Sequence, residues 1–183
     1  MRFGIFDQND RGPLPLPEHL ECRLQLCEFY DRAGFDSYHV SEHHATPLSL
    51  TPATGVFLSA LAQRTRRLRF GPLVYILPLR HPLQVAEEVA MLDQMSGGRF
   101  ELGVGRGISP HELCYHGIDP AEAPAMYREA LDLLLLALTG VNYLVSRFAF
   151  GDLTHSESLR SARLFATEVM PALRERSRET AWT

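Results

Sequence analysis

The chain predicts an α/β fold built on a parallel sheet, and three observations carry that expectation. Strand-like and helix-like segments alternate along the sequence, the connections between them are mostly short, and the longer loops follow strands one, two and four. Parallel neighbours need a crossover, usually a helix, so alternation of this kind is satisfied by right-handed β–α–β units. At 183 residues the chain lies in the size range of one domain and can bury a core.

The elements follow in order. Arg2 to Phe6 reads as the first strand, and a proline-rich loop runs on to Pro17. From Glu18 to Ala33 the spacing of Leu20, Leu24, Cys27 and Phe29-Tyr30 is helical, and Gly34 stops the helix. Phe35 to Ser41 is a second strand; Thr51-Pro52 caps a helix to about Arg64, with proline at its first position. Leu68 to Ile76 is a third strand, and Pro82 opens a helix to about Met95 that Ser96-Gly97-Gly98 ends. Arg99 to Gly105 reads as strand four, Ala121 to Leu138 as helix four, Val141 to Phe150 as strand five, and Ser156 to about Arg176 as the last helix. The count is about five strands and five main helices.

Composition excludes several classes of function. Net charge is -4, and the arginine group Arg64, Arg66, Arg67 and Arg69 reads as an exposed helix end, so no nucleic-acid partner is expected. All 18 basic residues are arginine, which removes Schiff-base, pyridoxal-anchoring and phosphate-loop lysines. Cys22, Cys27 and Cys114 are odd in number and form no C-x-x-C, so a reducing, cytoplasmic location is expected. The N-terminus runs straight into a strand without signal-peptide character, and the apolar run Leu131 to Leu138 is too short for a bilayer. No membrane association is expected. H-E-x-x-H and G-x-S-x-G are absent, and adjacent histidines on an extended segment poorly share one ion, so no metal is expected.

Chemistry concentrates where strand two ends. The apolar run Phe35 to Ser41 stops at Glu42-His43-His44, and a strand tip that presents a carboxylate and two imidazoles suits proton transfer near neutral pH. The plainer reading, a histidine that only caps a turn, would serve for one His better than for this trio. Arg80, His81, Arg106 and His111 are expected at the same sheet edge, the ligand-binding edge of parallel α/β folds. Gly103-Val104-Gly105-Arg106-Gly107 lacks the G-x-G-x-x-G spacing, so its glycines are expected to let the backbone pass close to a flat ligand.

Several of these strings resemble one family. Glu42-His43-His44, Leu77-Pro78-Leu79-Arg80-His81-Pro82, Leu92-Asp93-Gln94-Met95-Ser96-Gly97-Gly98-Arg99-Phe100 and Leu102-Gly103-Val104-Gly105-Arg106-Gly107 resemble the bacterial-luciferase-like flavin monooxygenases. The Leu164 to Leu173 segment is similar to the last helix of the same family. The resemblance implies a (β/α)8 TIM barrel and a monooxygenase that uses reduced FMN, or in some branches coenzyme F420, with O2 on a small organic substrate. A separate flavin reductase is a partner of such enzymes. It implies His43 as the acid–base histidine, with Glu42 and His44 beside it orienting the site. Leu73-Val74 matches a dipeptide that relatives hold as a non-proline cis peptide against the flavin ring. Arg106 matches a position near the flavin phosphate, and Gly105 replaces a side chain found in luciferase itself.

The resemblance is not continuous. Residues 1–140 resemble barrel units one to four, and 141–183 resemble the last strand and helix, so one shortened domain over 1–183 is expected. A full barrel takes about 250 residues, which leads to an expected incomplete barrel. The short join at Thr139-Gly140-Val141 reaches at most ~3.6 Å per residue. That places the last strand beside strand four or lends it to another subunit. Bare edges and an open inner face then lead to an expected homo-oligomer. The alternative to an active monooxygenase is a non-catalytic flavin-binding or oligomerising remnant of the family.

Overall fold

The computed structural model describes residues 1–138 and 154–171. Contacts divide the chain into two compact units, Met1–Ala137 and Leu138–Thr183. The expected strand at 141–150, the join before it and the end of the last helix lie outside the described residues.

The first unit is the expected parallel α/β arrangement. Strands β1 (Gly4–Asp7), β2 (Ser37–Val40) and β3 (Arg69–Pro72) lie side by side in that order, all parallel. A second parallel pair joins β4 (Tyr75–Ile76) to β5 (Val104–Gly105). Helices α1 (Leu16–Ala33), α2 (Thr54–Arg64) and α3 (Pro82–Ser96) form the crossovers. α4 (Pro110–Tyr115) and α5 (Ala123–Ala137) follow β5. Among the described residues the strands do not close into a barrel.

Register assigns the two faces. Ile5, Tyr38 and Phe70 align across the sheet, as do Phe6, His39 and Gly71. Alternation along a strand sends these two rows to opposite sides. Tyr38, Val40 and Phe70 pack with Cys27 of α1, Phe57, Leu58 and Leu61 of α2 and Leu92 of α3, which makes the core. On the other face Phe6 is 49% exposed. There Glu101 bridges His39 (3.0 Å) and Arg69 (2.6 Å).

Helix ends follow the glycine and proline signals. Gly34 and Gly97 end α1 and α3 in the left-handed region at φ 84 and 67, which glycine enters without a Cβ penalty. Pro82 opens α3 as expected. α2 corrects the expected cap: it begins at Thr54, and Thr51-Pro52 stays in the loop because Thr51 is tied to Ser49. Thr54 Oγ1 instead donates to the Thr51 carbonyl at 2.9 Å.

The single third strand is also corrected. It breaks at Leu73–Val74, whose peptide is cis, and the chain changes partners there: Leu73 N donates to Val40 O (2.8 Å) and Tyr75 N to Gly103 O (2.8 Å). The expected fourth strand, 99–105, shrinks to Val104–Gly105 plus one bridge from Phe70 to Phe100. A Cβ on Gly71 would overlap the Glu101 carbonyl, so the close approach of these two backbones depends on that glycine.

The Asp93 to Phe100 string is explained by Arg99. Its guanidinium donates to Ala62 O (2.9 Å), Thr65 Oγ1 (2.9 Å) and Leu68 O (2.8 Å), and its Nε to Ser96 O (2.8 Å). It thus satisfies carbonyls left over at the C-terminus of α2. The nearby arginines do more than cover a helix end. Arg64 joins α2 to α1 through Glu21 (2.7 Å) and Glu28 (2.6 Å), and Arg67 donates to Asp31 O at 2.8 Å.

In the second unit the described helix is α6 (His155–Leu164), continued by a π-helical turn at Phe165–Val169. Its start agrees with the expectation of a helix from Ser156.

Candidate functional site

The expected acid–base residues stand just past β2. His43 is half-buried, and its Nδ1 lies 2.8 Å from Oε1 of Glu112, a carboxylate only 3% exposed. Against an ionised carboxylate, which only accepts, Nδ1 of His43 is the donor of this bond and Nε2 is the ring nitrogen it leaves unused. Glu112 comes from α4, an element absent from the sequence-based expectation. Its signal was nevertheless present: Ser109-Pro110-His111-Glu112 has a capping serine, a proline at N1 and a glutamate at N3. Ser109 Oγ accepts from the Glu112 N–H at 3.3 Å, while the Glu112 side chain reaches His43 instead of turning back to the cap.

His44 belongs to a second carboxylate. Its Nε2 lies 2.9 Å from Glu42 Oε1, and its ring meets that of His116 edge-on at 4.9 Å. The Glu42 side chain is fully buried and also accepts from Arg80 Nη2 (2.9 Å) and Nε (3.4 Å). Arg80 continues to Glu88 at 3.6 Å and lies over the Tyr75 ring, 4.2 Å from its centre. The Tyr75 hydroxyl donates to Glu88. Burial works against the Arg80 charge, but Glu42 leads the contacts that outweigh it and hold the guanidinium above its ordinary value. Burial, and next Glu88, push the Tyr75 phenol up, so it stays protonated as a donor. Glu42 therefore acts on the site through His44 and Arg80.

Of the seven residues expected at this edge, Glu42, His43, His44 and Arg80 join bonded networks. His81 precedes α3 and is exposed; His111 lies on the first turn of α4, also exposed, and neither side chain joins them. Arg106 follows β5, is exposed and takes part in none of the ion pairs among the described residues. Leu73 and Val74 are half-buried at the end of β3. The expectation that the Gly103–Gly107 glycines admit a flat ligand is corrected at two places. A Cβ on Gly105 would press on Val74 Cγ2, and one on Gly103 on the Pro72 carbonyl, so the chain itself fills those spaces.

Thiol chemistry is not offered by Cys27, which is buried; that burial, with Asp7 nearby, pushes its thiol up to about 12. Among the described residues no three His, Cys, Asp or Glu side chains are grouped to hold a metal ion, and no helix is long and apolar enough to cross a membrane.

The donor set suits a flavin in kind. Leu73 and Val74 offer apolar surface for a ring, Arg106 an exposed cation for a phosphate, and His43 a half-buried imidazole, all at C-terminal ends of strands.

Comparison with known proteins points to one family. A family model described as luciferase-like monooxygenase matches residues 1–168. An uncharacterized protein, y4wF, of Sinorhizobium fredii is 49% identical over 142 residues, 78% of this chain and 42% of its own length. The 4-hydroxyprotoasukamycin monooxygenase of Streptomyces nodosus subsp. asukaensis is 40% identical, over 64% of this chain and 32% of its own. Among solved structures, the oxygenating constituent of 3,6-diketocamphane monooxygenase from Pseudomonas putida, in complex with FMN, superposes with a TM-score of 0.71 at 26% identity. That match covers 83% of this chain and 42% of the other. The chain thus spans less than half the length of these relatives.

Proposed function

This chain belongs to the luciferase-like monooxygenase family, and from that premise we propose that it serves a flavin-dependent monooxygenase reaction on a small organic substrate. Reduced FMN would supply the electrons that activate O2. Leu73 and Val74 would bed the ring, with Gly105 leaving room for Val74, and Arg106 would meet the phosphate. His43, with Glu112 behind it, would hold and return the proton at Nε2. His44 and Glu42 would fix the neighbouring wall. The observation that carries this reading is the 2.8 Å pairing of half-buried His43 with buried Glu112 at the sheet edge.

The reading extends to partners. The P. putida relative is described as an oxygenating constituent, which supports a separate reductase that delivers reduced flavin here. FMN is favoured over coenzyme F420 by the same relative. We read residues 1–183 as one shortened luciferase-like domain that acts in the cytoplasm as a homo-oligomer. The sheet, open among the described residues, with Phe6 exposed on the face away from the core, supports association.

Titration with reduced FMN, with O2 uptake and solution mass followed together, tests the proposal. Binding with flavin-dependent O2 uptake is expected, and His43→Ala should slow turnover by roughly 100-fold or more while FMN affinity changes little. Equal loss of both would remove the acid–base role. Binding without O2 uptake would favour the alternative of a non-catalytic flavin-binding chain; no binding would leave an oligomerising remnant.

A further inference from the structure

Asn9, in the loop between β1 and α1, is fully buried and holds a left-handed backbone at φ 54. Each of its polar atoms is engaged. Its N–H donates to Asp7 Oδ1 (2.8 Å), and its carbonyl accepts from Leu50 N (3.0 Å). Oδ1 lies 2.7 Å from His19 Nε2 and 3.4 Å from Arg23 Nε, so Nδ2 is left to donate to Thr51 Oγ1 at 3.3 Å.

From Thr51 the bonds continue with a fixed direction. Ser49 Oγ donates to Ser41 O at 3.2 Å, so its own oxygen accepts from Thr51, both from the hydroxyl (3.0 Å) and from the N–H (3.2 Å). Ser41 closes the circuit on β1, its N–H donating to Asp7 O (3.1 Å) and its hydroxyl to Gln8 O (2.7 Å). Both feet of the 41–51 loop are therefore fastened to residues 7–9, and Glu42, His43 and His44 stand between them. Glu112, the partner of His43, sits on a different element. Where the loop leaves the sheet thus sets whether His43 meets it.

We propose that Asn9 is a positioning residue for the His43–Glu112 pair. The place needs an acceptor toward α1, a donor toward Thr51 and a left-handed backbone. Asparagine meets all three; aspartate lacks the donor and glycine lacks the side chain. This inference rests on the proposed acid–base role of His43 only for its effect on turnover.

The test compares the full chain with Asn9→Gly, which keeps the backbone free to be left-handed, and Asn9→Asp, which keeps shape and removes the donor. Thr51→Val, which cuts only the branch to the loop, covers the case that either fails to fold. Amide hydrogen exchange and the imidazole nitrogen resonances of His43 are read by NMR. Amides between residues 42 and 50 should exchange about tenfold faster, and the hydrogen-bonded Nδ1 signature of His43 should be lost or broadened. The amides of Tyr38, Val40 and Phe70 should be unchanged. With reduced FMN supplied, turnover should fall about tenfold at unaltered FMN affinity. Unchanged loop exchange with an intact His43 signal would overturn the proposal, as would equal acceleration in β2 and β3. If the unmodified chain takes up no flavin, the functional reading fails while the exchange and imidazole data still decide the role of Asn9.

Discussion

His43 and Glu112, 69 residues apart in sequence, share a 2.8 Å hydrogen bond at the edge of the sheet. Glu112 is buried and His43 half-buried, so the carboxylate holds one ring nitrogen in a fixed direction. Glu112→Gln keeps the shape and removes the charge. With reduced FMN and O2 supplied, its turnover should fall roughly 10- to 100-fold, the rate equivalent of one charge-assisted hydrogen bond. FMN affinity, measured by titration, should stay within about twofold.

Arg80 neutralises a carboxylate that has no access to water. Arg80→Ala leaves Glu42 buried with His44 as its remaining side-chain partner, and should destabilise the fold by about 3–5 kcal/mol in urea unfolding. Glu42→Gln with Arg80→Ala should cost less than the sum of the two single changes, because no buried charge is then stranded.

Asp31 at the end of α1 accepts the backbone N–H groups of Arg66 (3.1 Å), Arg67 (2.7 Å) and Leu68 (2.6 Å). Burial opposes its charge, but the three donors outweigh it and hold the carboxyl below its ordinary value. The folded value is thus below the unfolded one. Its stabilisation is complete above the unfolded value, about 4, and is lost as pH falls through the folded one. Asp31→Asn should cost about 2–4 kcal/mol at pH 7 and should flatten this acid limb in unfolding curves taken from pH 7 to pH 2.

Arg99→Lys keeps the charge but not the planar fork that reaches Ala62, Thr65 and Leu68. A lysine has three donors on one nitrogen and cannot span these carbonyls. Stability should drop by about 2–3 kcal/mol, with no change in the His43 imidazole resonances, because the clamp lies at the opposite ends of the strands from the site.

Much of this arrangement was legible along the chain. Gly34 and Gly97 end helices because only glycine turns left-handed there freely, and Pro82 starts one because its missing N–H is not needed at that place. Glu42-His43-His44 was legible because residue type and a strand end are both local properties. The cis peptide at Leu73–Val74 was legible through the family resemblance, but the change of strand partners there was not, since either continuation satisfies the apolar pattern; the choice falls to the partners, Val40 on one side and Gly103 on the other. The Asp93 to Phe100 string pointed to a family, yet its chemical content is the reach of Arg99 to the end of α2.

By itself, then, the sequence determined the parallel α/β class, the crossover helices, the family and the strand tip that bears the histidines. These depend on periodicity, turn residues and short strings. Tertiary structure decided that His43 answers to Glu112, that Glu42 is spent on Arg80 and His44, and that Asn9 fastens the loop between them. Each is a hydrogen bond between groups distant in sequence, and such pairings exist only once packing has removed water and left each buried donor one acceptor within reach.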